Sequence, residues 1–252
     1  MRLGAPGTLP PSSDMPPTWP PLLATRGLGS KSATHSHHGM HLVLALEGEL
    51  SIETPAGTVR APGVLTAPDV PHALDADGIE ILLVFLDPES RVGASLRPDQ
   101  AVRALDAAAR DRLVQDADPL AIMSAPGVAW TRRVLDAVGL PPSPPRVLHP
   151  KVRAVLELLP TLEPGADTSL QRLASEVELS PSRLMHAFTE SVGVPLRPYL
   201  AWLKVQRAAA AIVTGASMTE AAHAAGFSDA GHMTRTFRRM LGMTPSSLRP
   251  TP

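Results

Sequence analysis

Two stretches, SLQRLASEVELSPSRLMHAF (Ser169–Phe188) and MTEAAHAAGFSDAGHMTRTF (Met218–Phe237), decide the fold of this 252-residue chain. Aligned on Phe188 and Phe237, Leu184 falls on Met233, His186 on Arg235 and Gly193 on Gly242. Each stretch has a small residue in its first half, Ala174 or Ala222, where two helices must pass closely. Each has a serine expected to open its second helix, Ser180 or Ser228, whose hydroxyl can accept a bond from a helix N–H that lacks a partner. Pro181 then stands at the first helical position, where its missing N–H costs nothing. The same turn grammar twice predicts two helix-turn-helix units rather than two ordinary helical hairpins.

Between the units, Leu196–Val213 reads as one helix with Leu200, Leu203 and Ala210 inward. Eighteen residues of helix are about 27 Å long. A strut of that length can hold two recognition helices roughly one turn of DNA apart, about 34 Å. Upstream, Val152, Val155, Leu156 and Leu159 form an apolar stripe that Pro160 ends, and Thr168 with Gln171 is expected to form a capping box. Helical spacing places Ser182, Arg183 and His186 opposite Leu184 and Phe188. It places Gly231, His232 and Arg235 opposite Met233 and Phe237. Arg235 is the strongest candidate for reading a base, because arginine can bond guanine O6 and N7 together. Arg238 and Arg239 suit phosphates or acidic neighbours.

The formal charge of -1 does not announce a nucleic-acid binder, but it is unevenly spread. From Lys151 onward there are 11 Lys and Arg against 8 Asp and Glu, a net +3; the rest of the chain is -4. DNA binding by the C-terminal half alone fits this split. There is no cysteine, which excludes disulfides and thiolate metal sites. No run of about 18 apolar residues suggests a membrane span, and no signal-peptide pattern opens the chain. A cytoplasmic location is expected.

Residues 1–21 read as a disordered Pro-rich tail, with a polyproline ligand for a partner as the alternative. From Leu22 to about residue 90 the pattern is β. The run His41–Leu46 bounded by Gly48, the alternation of Leu50 and Ile52, the turn Thr54–Gly57, Val64–Thr66 and Ile79–Leu86 predict many short strands. Such a series favours a barrel or a sandwich. Residues 91–140 read as helical. One helix face is marked by Ala101, Val102, Leu105, Ala108, Ala109 and Leu113, and a second helix spans Val128–Val138 with Trp130, Val134 and Leu135 buried and Gly139 at its end. These helices either cover the barrel or pair two subunits. Residues 141–148 are a Pro-rich linker, and 149–252 form the C-terminal domain.

Five of the nine histidines lie between residues 35 and 72. His35-Ser-His37, His41 and Gly48 resemble the first motif of the cupin barrel, and Pro68-Asp-Val-Pro-His72 resembles the second. In metal-binding cupins these motifs supply two histidines, a glutamate and a further histidine, and here His41 stands where the glutamate would be. The resemblance implies that His35, His37, His41 and His72 converge inside the barrel, with His35 and His37 alternating along one strand and His38 facing outward. An all-imidazole site favours zinc, nickel, copper or iron. The alternative is a metal-free pocket for an organic effector.

The stretches Ala222-Ala-His-Ala-Ala-Gly-Phe-Ser-Asp229 and Thr234-Arg-Thr-Phe-Arg-Arg-Met-Leu-Gly242, followed by Pro245, resemble the AraC/XylS family of bacterial transcription regulators, over about 100 residues from Pro150 to Arg249. The family implies a seven-helix DNA-binding domain behind a cupin-like effector domain. Its base-reading positions match Ser182, Met185 and His186, then Gly231, His232 and Arg235. One departure is Glu178, where the first turn commonly has glycine, as Gly226 is in the second.

The expected fold class is therefore α+β multidomain, with an N-terminal cupin-like β-barrel and a C-terminal all-α double helix-turn-helix domain. The expected function is a sequence-specific DNA-binding transcriptional regulator, not an enzyme, whose cupin-like domain senses a small molecule or a metal ion. Duplex DNA, a second copy of the chain and RNA polymerase are the expected partners. The competing reading is a metal-dependent cupin enzyme, of dioxygenase or isomerase type, with a fused DNA-binding domain. A third is a structural DNA-binding protein whose barrel only dimerises.

Overall fold

The apolar runs of the N-terminal half pair as antiparallel strands. The computed structural model describes residues 22–115, 117–123, 127–139, 148–163 and 165–249. The Pro-rich tail 1–21 and most of the Pro-rich linker lie outside them. One sheet has the order β1-β7-β2-β5-β8: β1 (Leu22–Leu28), β7 (Glu80–Leu86), β2 (Met40–Ala45), β5 (Gly63–Thr66) and β8 (Val102–Leu105). A second has the order β4-β3-β6: β4 (Gly57–Ala61), β3 (Leu50–Thr54) and β6 (Ala73–Asp75). Every residue of β2 is buried, which is why its sequence is a continuous apolar run rather than an alternation. In β3, Leu50 and Ile52 are buried and Glu53 is exposed, the alternation of a half-covered strand. The β3–β4 hairpin closes at Gly57, whose φ of 126° suits glycine, and Thr54 Oγ1 accepts the Ala56 N–H at 3.2 Å.

The barrel expectation is met in part. The two sheets form a sheet-rich domain, but the described strands do not hydrogen-bond into a closed ring. A second correction concerns the helix expected from Ala101. Val102–Leu105 is a strand instead, paired with β5 from Thr66 back to Gly63. The free edge of β5 takes these residues, a demand that helical spacing alone cannot reveal. Asp106 then caps α2 (Ala107–Val114), its carboxylate accepting the Ala109 N–H at 2.7 Å.

Helices α1 (Arg91–Leu96), α2, α3 (Pro119–Met123) and α4 (Gly127–Val138) pack on one another and on the larger sheet. Their apolar faces are used inside the domain: Trp130, Val134 and Val138 are buried, and Trp130 Nε1 donates to Leu113 O at 3.2 Å. Arg110 ties α2 to the end of β2 through Ala45 O at 2.8 Å.

The C-terminal half is all helical: α5 (Pro150–Leu158), α6 (Leu170–Glu176), α7 (Pro181–Val192), α8 (Leu196–Val213), α9 (Met218–Ala224), α10 (Ala230–Leu241) and a final 3-10 turn at Pro245–Leu248. The central helix α8 is buried on nearly every side. It packs against α7, α9 and α10, and also against β1 of the sheet domain. No helix among the described residues is long and apolar enough to cross a membrane.

Candidate DNA-reading faces and a histidine cavity between the domains

The two helix-turn-helix units are built alike. Leu179 N–H donates to Ala174 O in the first turn and Phe227 N–H to Ala222 O in the second, both at 2.9 Å. Ala174 and Ala222 are buried where the helices cross. Leu184 and Phe188 of α7, and Met233 and Phe237 of α10, point into the core with no exposure. Both recognition helices end on a left-handed glycine, Gly193 (φ 92°) and Gly242 (φ 66°).

Their caps differ from the expectation at two places. Ser180 caps α7 as expected, accepting the Arg183 N–H. Helix α10 is capped by Asp229, not Ser228, and Asp229 Oδ1 accepts the His232 N–H at 2.6 Å. The second turn is one residue longer, so Ser228 lies before the cap and contacts the Asp229 carboxylate and His232 Nδ1. Likewise α6 starts at Ser169, whose hydroxyl accepts the Arg172 N–H, and not through a Thr168–Gln171 box. A full capping box occurs at α9 instead, between Ser217 and Glu220. Glu178 carries a positive φ of 55° at the position where Gly226 has 74°.

Ser182, Arg183, Met185 and His186 are exposed on α7, and Gly231, His232, Arg235 and Arg239 are exposed on α10. A Cβ added at Gly231 would lie 3.0 Å from Asp229 Oδ1, the carboxylate oxygen that caps α10, and 3.4 Å from Arg235 Nη1, so the bare backbone there leaves the cap uncrowded. Sequence reading missed Arg197 and Lys204 of α8. With His232 and Arg239 they line a groove of about 700 Å³ between α8 and α10, and Lys204 Nζ donates to Gly226 O at 3.0 Å. Their seven-residue spacing on one helix face was the available signal.

The histidines meet at the junction of the two domains. His35 and His72 exchange backbone bonds at 2.9 Å, and the Asp69 N–H donates to His37 O at 2.9 Å, so two loops are pinned together. One ring nitrogen from each of His35, His37 and His72 lies within 4.8 Å of the others. His41, at the start of β2, stands outside this close triad. Its ring centroid is 4.6 Å from that of His72 and 5.3 Å from that of His37. His35 and His37 lie in a loop, not along a strand as expected. His38 does not face outward: it is buried, with Nδ1 2.9 Å from Asp69 Oδ2 and Nε2 3.4 Å from Glu89 Oε1.

The helix-turn-helix domain supplies part of the cavity wall. Leu241, Met243 and Ser247 line it together with His35, His37, His41 and His72, Phe85 and residues of β1, around a space of about 70 Å³. The Trp202 indole of α8 stacks on the His37 ring, with centroids 5.4 Å apart and planes within 7°. Gly39 has no side chain because the Trp202 ring occupies that space. Gly242 abuts His35, since a Cβ there would lie 2.8 Å from His35 Nδ1. Nearby, Tyr199 Oη donates to Asp87 Oδ2 at 3.2 Å across the same junction.

Burial dominates the electrostatics. It pushes the pKa of His37 and His41 well below the usual histidine value, with the neighbouring imidazoles adding to the effect. His72 falls to about 4, chiefly through burial, and His35 is lowered for the same reason. These rings are neutral near pH 7. His38 differs: burial lowers its pKa, but Asp69 and Glu89 more than offset it and the net shift is upward. Burial raises Asp87 to about 6, with Glu89 adding to the rise.

Fold and site together define a class: a sheet-rich domain seated on a double helix-turn-helix domain, with a cavity between them. Comparisons with known proteins agree at that level. Residues 173–251 match a family described as "Helix-turn-helix domain". The chain is 33% identical over 106 residues to the HTH-type transcriptional regulator RipA of Corynebacterium glutamicum, covering 42% of this chain and 32% of that protein. It is 32% identical over 139 residues to the HTH-type transcriptional regulator GlxA of Rhizobium meliloti, covering 49% and 42%. The matches thus span less than half the length of either relative. Solved structures of ToxT from Vibrio cholerae share the fold over 90% of this chain. One, with an unsaturated fatty acid bound, has a TM-score of 0.55 at 12% identity over 93% of that chain. Another has a TM-score of 0.57 at 11% identity over 96%. The C-terminal half thus contains a helix-turn-helix domain, in a two-domain layout shared with ToxT.

Proposed function

We propose that this chain is a ligand-responsive regulator of transcription that reads duplex DNA with α7 and α10. The observation that carries this reading is the pair of exposed recognition faces held on one rigid helix, α8, of 18 residues. At about 27 Å, the strut suits helices entering successive major grooves on one side of the duplex. Ser182, Arg183, Met185 and His186 serve the first groove, and Gly231, His232 and Arg235 the second. Arg235 reads guanine, while Arg239, Arg197 and Lys204 meet phosphates. The effector occupies the histidine cavity, where it touches both domains. We read that cavity as a binding site rather than a catalytic one, because among the described residues its wall has histidines and hydroxyls but no carboxylate beside them. ToxT, whose fold this chain shares, has been solved with an unsaturated fatty acid bound, which supports reading this fold as one that takes a small ligand.

The test is selection of duplexes from a random pool by the full chain, followed by titration at several salt concentrations. The expected result is an enriched site with two half-sites about one helical turn apart and an affinity that falls steeply with salt. A folded protein that enriches no sequence and binds no duplex at low salt would falsify the reading.

A further inference from the structure

We propose that His35, His37 and His72, with His41 beside them, hold one divalent transition-metal ion, and that Trp202 and Gly242 transmit its occupancy to the DNA-reading units. The second half of this inference rests on the regulatory reading above; the ion site does not.

The histidines are oriented as metal ligands. Their Nδ1 atoms bond backbone carbonyls: His35 to Ala33 O at 2.8 Å, His37 to Gly39 O at 2.7 Å and His72 to Val70 O at 2.8 Å. A ring nitrogen beside a carbonyl oxygen must carry the proton, so in all three neutral rings the lone pair sits on Nε2. That is the tautomer metal-binding histidines adopt when a carbonyl fixes their far side. The buried Nε2 atoms of His41 and His72 have no hydrogen-bond partner. His37 Nε2 meets only His41 Nδ1, at a long 3.4 Å. Leaving such atoms unpaired costs about 1–3 kcal/mol each, and a shared cation removes that cost for several at once.

The donor set and the space select the ligand class. Imidazoles without carboxylate or thiolate suit zinc, nickel, copper or iron(II), whereas calcium and magnesium require oxygen ligands. The cavity of about 70 Å³ is far below the roughly 300–1,000 Å³ of pockets for drug-sized molecules. It fits an ion with water or a small chelating group.

The coupling follows from which rings form the domain contact. At a metal–nitrogen distance of about 2.1 Å, tetrahedral ligand nitrogens sit about 3.4 Å apart. One nitrogen of each ring lies within 4.8 Å of the others, so loading closes any pair that stands wider than the tetrahedral spacing by small ring movements. Two of these rings carry the reading domain. His37 is the face on which Trp202 of α8 stacks, and His35 abuts Gly242 at the end of α10. Shifts of this size at a close-packed junction move whole elements rather than deforming them.

The test uses the full chain, purified without an affinity tag and stripped with a chelator. Zinc is titrated against a chromogenic competitor, and cobalt(II) is added to record visible d–d absorption. One ion per chain and nitrogen-ligated cobalt bands are expected. The His37→Ala/His72→Ala protein should bind zinc more than about a hundredfold more weakly. Trp202→Phe should keep the ion but lose the change in tryptophan emission that zinc produces in the wild type. Zinc loading should change affinity for a selected duplex by about 5–150-fold. The site is overturned if wild-type protein binds none of zinc, cobalt, nickel, copper or iron(II), or if the double variant binds as the wild type does. The cobalt spectrum of the wild type decides this even where the variant fails to fold. The coupling is overturned if the emission change survives in Trp202→Phe or if duplex affinity is unchanged by zinc. Ion binding without any DNA binding would sink the regulatory reading and leave the site standing; DNA binding without an ion would do the reverse.

Discussion

The two helix-turn-helix units share a scaffold but differ in their turns, their reading residues and their seats on the sheet domain. The first turns on Glu178 in a left-handed conformation and presents Ser182, Met185 and His186; the second turns on Gly226 and presents Gly231, His232 and Arg235. In the first, Phe188 packs on Tyr199 with ring centroids 5.4 Å apart, and Tyr199 reaches Asp87 of the sheet domain. In the second, α10 ends directly against His35. The difference teaches that one repeat can keep its packing while its two copies take on separate tasks. The core positions stay apolar, and the surface, turn and terminal residues are free to diverge.

The strongest check is whether the shared scaffold is energetically shared. Phe188→Ala and Phe237→Ala each remove a fully buried ring and should each cost about 3–5 kcal/mol in denaturant unfolding. A large loss for one and a small loss for the other would break the comparison at its base.

The seat of the first unit should be sensitive to pH. Asp87 is raised from 3.8 to about 6 in the folded protein by burial; the Glu89 N–H bond lowers it, the Glu89 charge raises it, and His38 and Tyr199 lower it. The folded state therefore holds this proton more tightly than the unfolded chain. The corresponding stability is fully present below about pH 4 and is lost as pH rises through about 6, amounting to about 3 kcal/mol at most. Asp87→Asn should flatten thermal stability across that window. An unchanged pH profile in the variant would remove Asp87 from the account.

At the reading surface the asymmetry should appear in specificity. Arg235→Ala should lose about 1–3 kcal/mol on a selected duplex and relax preference at one base pair. His186→Ala should lose about 1 kcal/mol, the worth of a single hydrogen bond. Arg239→Ala should weaken all duplexes alike and reduce the salt slope by about one. Equal effects for Arg235 and His186 in competition binding would mean the units read DNA equally. The smallest expected effect lies in the turns. Glu178→Gly should stabilise the protein by about 1 kcal/mol and Gly226→Ala destabilise it by about as much, because the left-handed conformation penalises a Cβ. Thermal unfolding that moved the other way for Glu178→Gly would show that the Lys151–Glu178 contact, at 3.1 Å, outweighs the strain.

Much of the reading domain was legible in advance because its signals are local. The apolar faces of α7 and α10, the bounds of α8 and Pro181 after the Ser180 cap all follow from spacing and side-chain chemistry within a few residues. Errors arose where one residue of loop length decides the outcome, as with Ser228 and Asp229. They also arose where a distant edge recruits a segment, as β5 recruits Val102–Leu105. His38 was misplaced because its partners, Asp69 and Glu89, are 31 and 51 positions away and nothing local announces them.

By itself the sequence determined the repeat, the apolar faces and the clustering of histidines, since helix period, caps and turn residues act over one or two turns of chain. Only the tertiary structure decided that the sheets stay open at their edges. It alone placed Trp202 and Gly242 of the helix-turn-helix domain on His37 and His35. Those contacts join residues more than 160 positions apart, and their geometry is set by close packing of two domains, which no local pattern encodes.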